Sequence, residues 1–215
     1  MGNAKRVALV TGSASGIGSA VAVRLANEGF DTIVNYSRSA DSASNTAERC
    51  NAAGSDTLLV QCDVSNEAGV VSMLDDIEKK YGRLDVVVNN AGTSISTLAK
   101  DFDKVSEEEF DRVLAVNVKG MFLVAKHSKA MLSEGIDPCI INTASIVGFR
   151  PGPQPLPYSA SKAAVISMTQ SLSFALGPKV RVNAVAPGWM EGEWMERMLG
   201  ENYEKLMERR AKMTP

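Results

Sequence analysis

The sequence predicts an α/β protein: a doubly wound parallel sheet with helices on both faces. Three observations carry that expectation. Six short apolar bursts rich in Val and Ile recur along the 215 residues, and amphipathic stretches separate them. Near-continuous apolar runs are the pattern of strands buried on both faces. Strand–helix alternation along the whole chain implies parallel strands joined by crossover helices. A glycine-rich turn, TGSASGIG (11–18), stands where the first strand would hand over to the first helix.

The first strand is RVALVT (6–11), followed by a helix near 17–29. DTIVNY (31–36) is the second strand, leading to a helix near 40–53. DTLLVQ (56–61) precedes a helix near 66–81, and LDVVVN (84–89) precedes a long helix near 106–133. Ser106 and Glu109 have capping-box spacing, and Val105 is placed to staple against Phe110. CIINTA (139–144) is the fifth strand. The proline-rich RPGPQPLP (150–157) reads as a pocket-shaping loop ahead of a helix near 158–176, which Gly177 and Pro178 stop. VRVNAV (180–185) is the sixth strand. No repeat or interdomain linker appears, so residues 1–215 read as one domain.

The totals exclude several classes. Lys plus Arg number 23 and Asp plus Glu 25, a net charge of −2, so nothing draws the chain to nucleic acid or an anionic membrane. Cys50, Cys62 and Cys139 are odd in number and lack CxxC spacing, which argues against a disulfide framework or a metal site and for a reducing compartment. The N-terminus is not a secretory signal, Gly2 is followed by Arg at position 6 rather than the Ser or Thr of a myristoylation motif, and no apolar run approaches a membrane span. A cytoplasmic location is expected.

The chemistry gathers at the strand ends, where open α/β sheets bind ligands. Gly12 permits a tight turn, Gly16 lets backbone approach a phosphate, and Gly18 permits close helix packing; the helix N-terminus attracts a pyrophosphate. The spacing is GxxxGxG rather than the usual GxGxxG, and alone it fits a plain turn as well. Arg38, Asp63, NNAG (89–92), Ser145 and PG (187–188) end the other strands. Tyr158 and Lys162 in YSASK lie one helical turn apart, so the lysine's charge can lower the phenol's pKa toward neutrality. Ser145 can hydrogen-bond a substrate oxygen beside that phenol. Asn117, an amide placed mid-helix against propensity, is suited to hold a water near Lys162. His127 lies away from the strand ends and reads as a packing or surface residue.

In this order, TGSASGIG, Asp63, NNAG, Asn117, Ser145, YSASK and PG resemble the short-chain dehydrogenase/reductase family, and within it 3-oxoacyl-thioester reductases. The resemblance implies a Rossmann-type sheet, a nicotinamide cofactor, and hydride transfer between that cofactor and a carbonyl or secondary alcohol. It implies catalytic roles for Asn117, Ser145, Tyr158 and Lys162, with Tyr158 as general acid/base. It implies cofactor contacts from Gly12, Ser15, Gly16, Ile17, Gly18, Asp63, Val64, Asn90, Ala91, Gly92, Tyr158, Lys162, Pro187 and Gly188, with Asp63 and Val64 at the adenine. Ser145, Tyr158 and Trp189 would meet the substrate. A cofactor-binding sensor or scaffold of the same fold, without turnover, is the alternative from another class; loss of Tyr158 or Lys162 would favour it, and both are present.

NADP(H) is expected over NAD(H), because the second strand ends in neutral Asn35 and Tyr36 and Arg38 follows, a fork suited to a 2′-phosphate. By resemblance, a homodimer or homotetramer is expected, with one interface made by the long helices. The resemblance also implies a further helix and a seventh strand beyond ERRAKMTP (208–215). The chain is therefore expected to be cut short, with 189–215 a poorly anchored substrate lid and Trp194 a core or lid residue.

Overall fold

The computed structural model describes residues 5–152, 154–192, 195–196 and 199–213. The expectations that fall on Gly2, Trp194, Thr214 and Pro215, and on Pro153 of the proline-rich loop, lie outside the described residues. Six parallel strands form one sheet: β1 (Val7–Val10), β2 (Asp31–Tyr36), β3 (Leu58–Gln61), β4 (Val86–Asn89), β5 (Cys139–Thr143) and β6 (Arg181–Val185). Their spatial order is β3-β2-β1-β4-β5-β6. The chain winds outward from β1 in one direction and then from β4 in the other, so the reversal lies between these two strands, where such sheets open a crevice at their carboxyl ends.

Alternation along each strand builds the two core layers. Val7 and Leu9 of β1, Ile33 of β2 and Val87 of β4 pack on one face with Val70, Met73 and Ile77 of α3 (Glu67–Tyr81) and Leu123, Val124 and Leu132 of α5 (Met121–Ser133). Ala8, Val10, Val34, Val86 and Val88 point the other way, onto Ala22 and Ala26 of α1 (Gly16–Asn27) and Ala43, Ala47 and Cys50 of α2 (Ala40–Ala52). Small alanines let α1 and α2 approach the sheet closely, while the opposite face is filled by larger side chains.

The helix ends have local causes. Ser106 and Glu109 form the expected capping box ahead of α4 (Glu107–Leu114), with bonds of 3.2 and 3.1 Å. Val105 and Phe110 face one cavity of about 380 Å³, with Phe102, Leu156 and Pro157. The expected long helix is continuous from α4 to α5, but a π-helical turn, Ala115–Gly120, interrupts its pitch at Asn117. The helix α6 (Leu156–Leu176) carries Tyr158 and Lys162 and ends at Gly177, where a Cβ would lie 2.7 Å from the Ser173 carbonyl oxygen. Past β6, α7 (Tyr203–Met213) ends the described chain. Among the described residues no helix is long and apolar enough to cross a membrane.

Candidate active site

The glycine turn is braced from both sides. Thr11, closing β1, accepts hydrogen bonds at Oγ1 from the backbone N–H groups of Asn90 and Ala91, each 3.0 Å. Asn90 Nδ2 donates in return to the carbonyls of Thr11 and Gly12, at 3.1 and 3.0 Å. Gly12 takes φ +61°, and a Cβ there would lie 2.7 Å from Ala91 Cα, so both conformation and space require glycine. On the other side Asn35 accepts from the Gly12 N–H at 3.1 Å and donates to the Cys62 carbonyl at 3.1 Å. Its amide is buried and ties the ends of β1, β2 and β3 together.

The N-terminus of α1 is the opposite: open. Ser15 is exposed and its hydroxyl caps nothing. Gly16 takes φ +56° and a Cβ there would meet no atom within 4 Å. Exposed N–H groups at a helix start, with free space ahead, fit the pyrophosphate of a dinucleotide. Ile17 follows on the same turn. Gly18 is buried against the brace, where a Cβ would fall 2.5 Å from Asn90 Nδ2. Arg38 stands exposed just after β2.

The proton-handling residues converge at the end of β5. Lys162 is 5% exposed; its Nζ donates to the Thr143 carbonyl at 2.7 Å and sits 5.6 Å from the centroid of the Tyr158 ring. Burial lowers its pKa to about 8. The phenol of Tyr158 moves the other way: burial raises it, and a hydrogen bond from the Ser145 hydroxyl partly offsets the rise. This corrects the sequence-based expectation that Lys162 depresses Tyr158. The ammonium sits 5.6 Å from the ring centroid and donates to the Thr143 carbonyl, and desolvation is the largest cause of the phenol's shift.

Asn117 is 3% exposed, in the π-helical turn. Its Oδ1 accepts from the Thr93 N–H at 2.7 Å, and its Nδ2 donates to the Thr93 carbonyl and to Ser161 Oγ, both at 2.9 Å. The side-chain amide is thus committed to protein partners. Beside it a cavity of about 10 Å³ is lined by Thr11, Asn89, Thr143 and Lys162 among others, and the buried Oδ1 of Asn89 has no partner among the described residues. That space is polar and about the size of one water. Gly92 lies against the same group: a Cβ there would be 3.5 Å from Asn117 Oδ1 and 3.8 Å from Lys162 Nζ.

Ser145 is 8% exposed and opens a short 3-10 turn, Ile146–Gly148. The Pro187 carbonyl accepts from the Ile146 N–H at 3.1 Å, and Gly188 approaches the Ile146 side chain, so the PG pair sits beside the serine. Trp189 is half-buried beneath the Arg210 guanidinium of α7, 4.6 Å from its ring centroid, and does not line the cavity at Lys162. Val64 packs on Gly120, and Asp63 receives Ser65 and Arg112. His127 lies off the site and pairs with Glu67 at 2.8 Å.

Sequence reasoning missed five supports: Thr11, Asn35, Thr93, Thr143 and Ser161. Thr11 and Ser161 lie inside quoted motifs and Thr93 adjoins one, so their signal was position. Thr143 acts through its backbone carbonyl, which no residue type announces.

With this geometry in place, comparison with known proteins is informative. Residues 6–203 match the family model described as short chain dehydrogenase. The chain belongs to the short-chain dehydrogenase/reductase family, oxidoreductases acting on CH–OH and C=O groups. It is 34% identical over 201 residues to the 3-oxoacyl-acyl-carrier-protein reductase FabG of Staphylococcus aureus, covering 93% of this chain and 80% of that one. It is 40% identical over 185 residues to elsinochrome reductase 1 of Elsinoe fawcettii, covering 85% of this chain and 67% of that one. Among solved structures, NAD+-bound xylitol dehydrogenase superposes with a TM-score of 0.84 at 30% identity, covering 99% of this chain and 79% of that one.

Proposed function

We propose that this protein is an NADP(H)-dependent carbonyl reductase, transferring a hydride between nicotinamide and a ketone or secondary alcohol. The observation that carries the reading is the meeting of Tyr158, Ser145 and Lys162 at the end of β5, across the sheet's reversal point from the open N-terminus of α1. Ser15, Gly16 and Ile17 would hold the pyrophosphate, with Gly12 and Gly18 shaping the turn. Asn90, Ala91, Gly92, Pro187 and Gly188 would border the nicotinamide half, and Asp63 and Val64 the adenine. Nicotinamide, when bound, supplies the hydride to the carbonyl carbon or takes it back from the alcohol.

The chain's own residues handle the proton. Ser145 donates to the substrate oxygen and holds it beside the Tyr158 phenol. Tyr158 gives its proton to that oxygen during reduction and takes it back during oxidation. Lys162, fixed by its hydrogen bond to the Thr143 carbonyl beside the Tyr158 ring, would grip the ribose of the nicotinamide half. The cavity between Asn89, Asn117 and Lys162 has room for the water that would return the proton. Trp189, held by Arg210, would wall the substrate.

NADP(H) is favoured because no acid ends β2: Asn35 is already occupied by Gly12 and Cys62, and Arg38 is exposed and available to fork onto a 2′-phosphate. The names of FabG and elsinochrome reductase support reduction. We also assign a cytoplasmic location, a carbonyl or alcohol substrate of small-molecule size, and assembly of two or four copies through the long helices.

The test is a panel of ketones with NADPH and NADH, followed by absorbance, on wild type, Tyr158→Phe and Arg38→Ala. Oxidation of NADPH over NADH, abolished in Tyr158→Phe while dinucleotide binding persists, is the expected result. Arg38→Ala should weaken NADPH about tenfold and leave NADH unchanged. Near-normal turnover in Tyr158→Phe would overturn the catalytic assignment, and a wild-type preference for NADH would overturn the cofactor assignment.

A further inference from the structure

Arg112, on α4, lies outside the proton-handling group and reaches back to the loop after β3. Its Nη2 lies 3.0 Å from Asp63 Oδ2 and its Nη1 donates to Ser65 Oγ at 3.0 Å. Ser65 passes the connection on, donating from Oγ to Asp63 Oδ1 at 2.7 Å and from its backbone N–H to the same oxygen at 3.0 Å. The three residues close a ring. Its backbone is anchored independently: the Cys62 N–H donates to the Tyr36 carbonyl, the Asn66 N–H to the Asp63 carbonyl, and Asn66 caps α3. The ring therefore aims the Asp63 side chain rather than holding the loop in place. The helix that carries Arg112 also carries Asn117, five residues on, and its Gly120 packs on Val64.

A carboxylate has about four acceptor positions. Ser65 takes two on Oδ1 and Arg112 takes one on Oδ2, leaving one on Oδ2, on a side chain 39% exposed. Asp63 follows β3, at the far end of the sheet from Tyr158 on the β5 side. A dinucleotide lying across the reversal point with its nicotinamide at Tyr158 must place its adenine toward β2 and β3. Adenine offers an exocyclic amine that donates, and an aimed carboxylate oxygen is its complement.

We propose that Arg112 is a positioning residue for adenine recognition, holding Asp63 through the Arg112–Ser65–Asp63 ring so that its remaining acceptor meets the adenine amine. This rests on the dinucleotide reading above. An exposed ion pair by itself stabilises little. The function of the ring is direction, and its loss is read in base selectivity rather than in folding.

The experiment is a calorimetric titration of NADPH and of its hypoxanthine analogue, in which oxygen replaces the amine. Wild type is expected to prefer the adenine form about tenfold, the scale of one hydrogen bond to a charged group. Arg112→Ala should lose that preference by weakening NADPH while leaving the analogue unchanged. Ser65→Ala, a smaller perturbation, should move the ratio the same way, and Arg112→Lys should restore part of it. Arg112→Ala should add nothing in an Asp63→Ala background. Arg24→Ala, which breaks an exposed pair on α1, is the control with both affinities unchanged. Equal weakening of both dinucleotides by Arg112→Ala and Ser65→Ala would reduce the ring to a brace and overturn the inference. Wild type binding both dinucleotides equally would overturn it too. Wild type binding neither would overturn the cofactor reading itself, and this inference with it.

Discussion

Lys162 holds a charge where the fold has removed its solvent, and the sign of its effect on stability follows. Its folded pKa is about 8, against an ordinary 10.5. Between those values the unfolded chain keeps a proton that the folded chain has lost, so raising the pH through that window stabilises the fold; below about 8 the penalty is full. Its size is on the order of 3 kcal/mol, offset by about 1 kcal/mol from the hydrogen bond to Thr143. Lys162→Met keeps the shape and removes the charge. It should be more stable than wild type by about 2 kcal/mol at pH 7 in urea titration, with the gap narrowing toward pH 10. A gap independent of pH would contradict the burial account. The same variant should lose turnover, since no ammonium then grips the nicotinamide ribose. The pairing of Tyr158 with Lys162 was legible from their spacing. The direction of each pKa was not, because it depends on depth and on a backbone carbonyl nineteen residues earlier.

The glycine turn shows how one element divides its work. Gly12 and Gly16 both take positive φ, but only Gly12 has backbone against the space a Cβ would fill. Gly12→Ala should cost more than about 2 kcal/mol, from strain plus the clash with Ala91. Gly16→Ala carries the strain alone, about 1 kcal/mol. Its methyl would project where a phosphate approaches, so its loss of dinucleotide affinity should exceed its loss of stability. Thermal melts and NADPH titration of the two variants separate these effects; equal stability losses would contradict the packing argument. In the long helix, the sequence indicated that Asn117 was out of place but not how the backbone accommodates it. The π-helical turn is decided by Thr93 and Ser161, which the fold brings to its amide from two other segments.

At the scale of the molecule, α6 packs beside α4 and the π-helical turn and leaves Phe174 88% exposed, while Phe122 on α5 is 44% exposed. Large aromatics left in water on long helices fit the proposed assembly of copies through those helices. Phe174→Asp should leave the folded protomer intact and shift the species seen by light scattering after size exclusion toward the monomer. An unchanged mass would remove the long helices from the interface. β6 is the edge of the sheet among the described residues, with Arg181, Asn183, Ala184 and Val185 exposed.

The sequence by itself determined the class of fold, the six strands and the residues on which the chemistry is proposed to rest. Those are written locally: apolar runs, helix caps, a glycine turn and motifs in chain order. Its strand and helix limits fall within two residues of those observed in the sheet and the helices from α1 to α6. Only the tertiary structure decided which strand ends meet. The brace of Thr11, Asn35 and Asn90 around Gly12 and the arrival of Arg112 at Ser65 and Asp63 join residues 23 to 79 positions apart, and the shifts at Tyr158 and Lys162 depend on burial. The physical reason is that hydrogen-bond partners and desolvation belong to positions in space, and chain order places them only after the sheet has assembled.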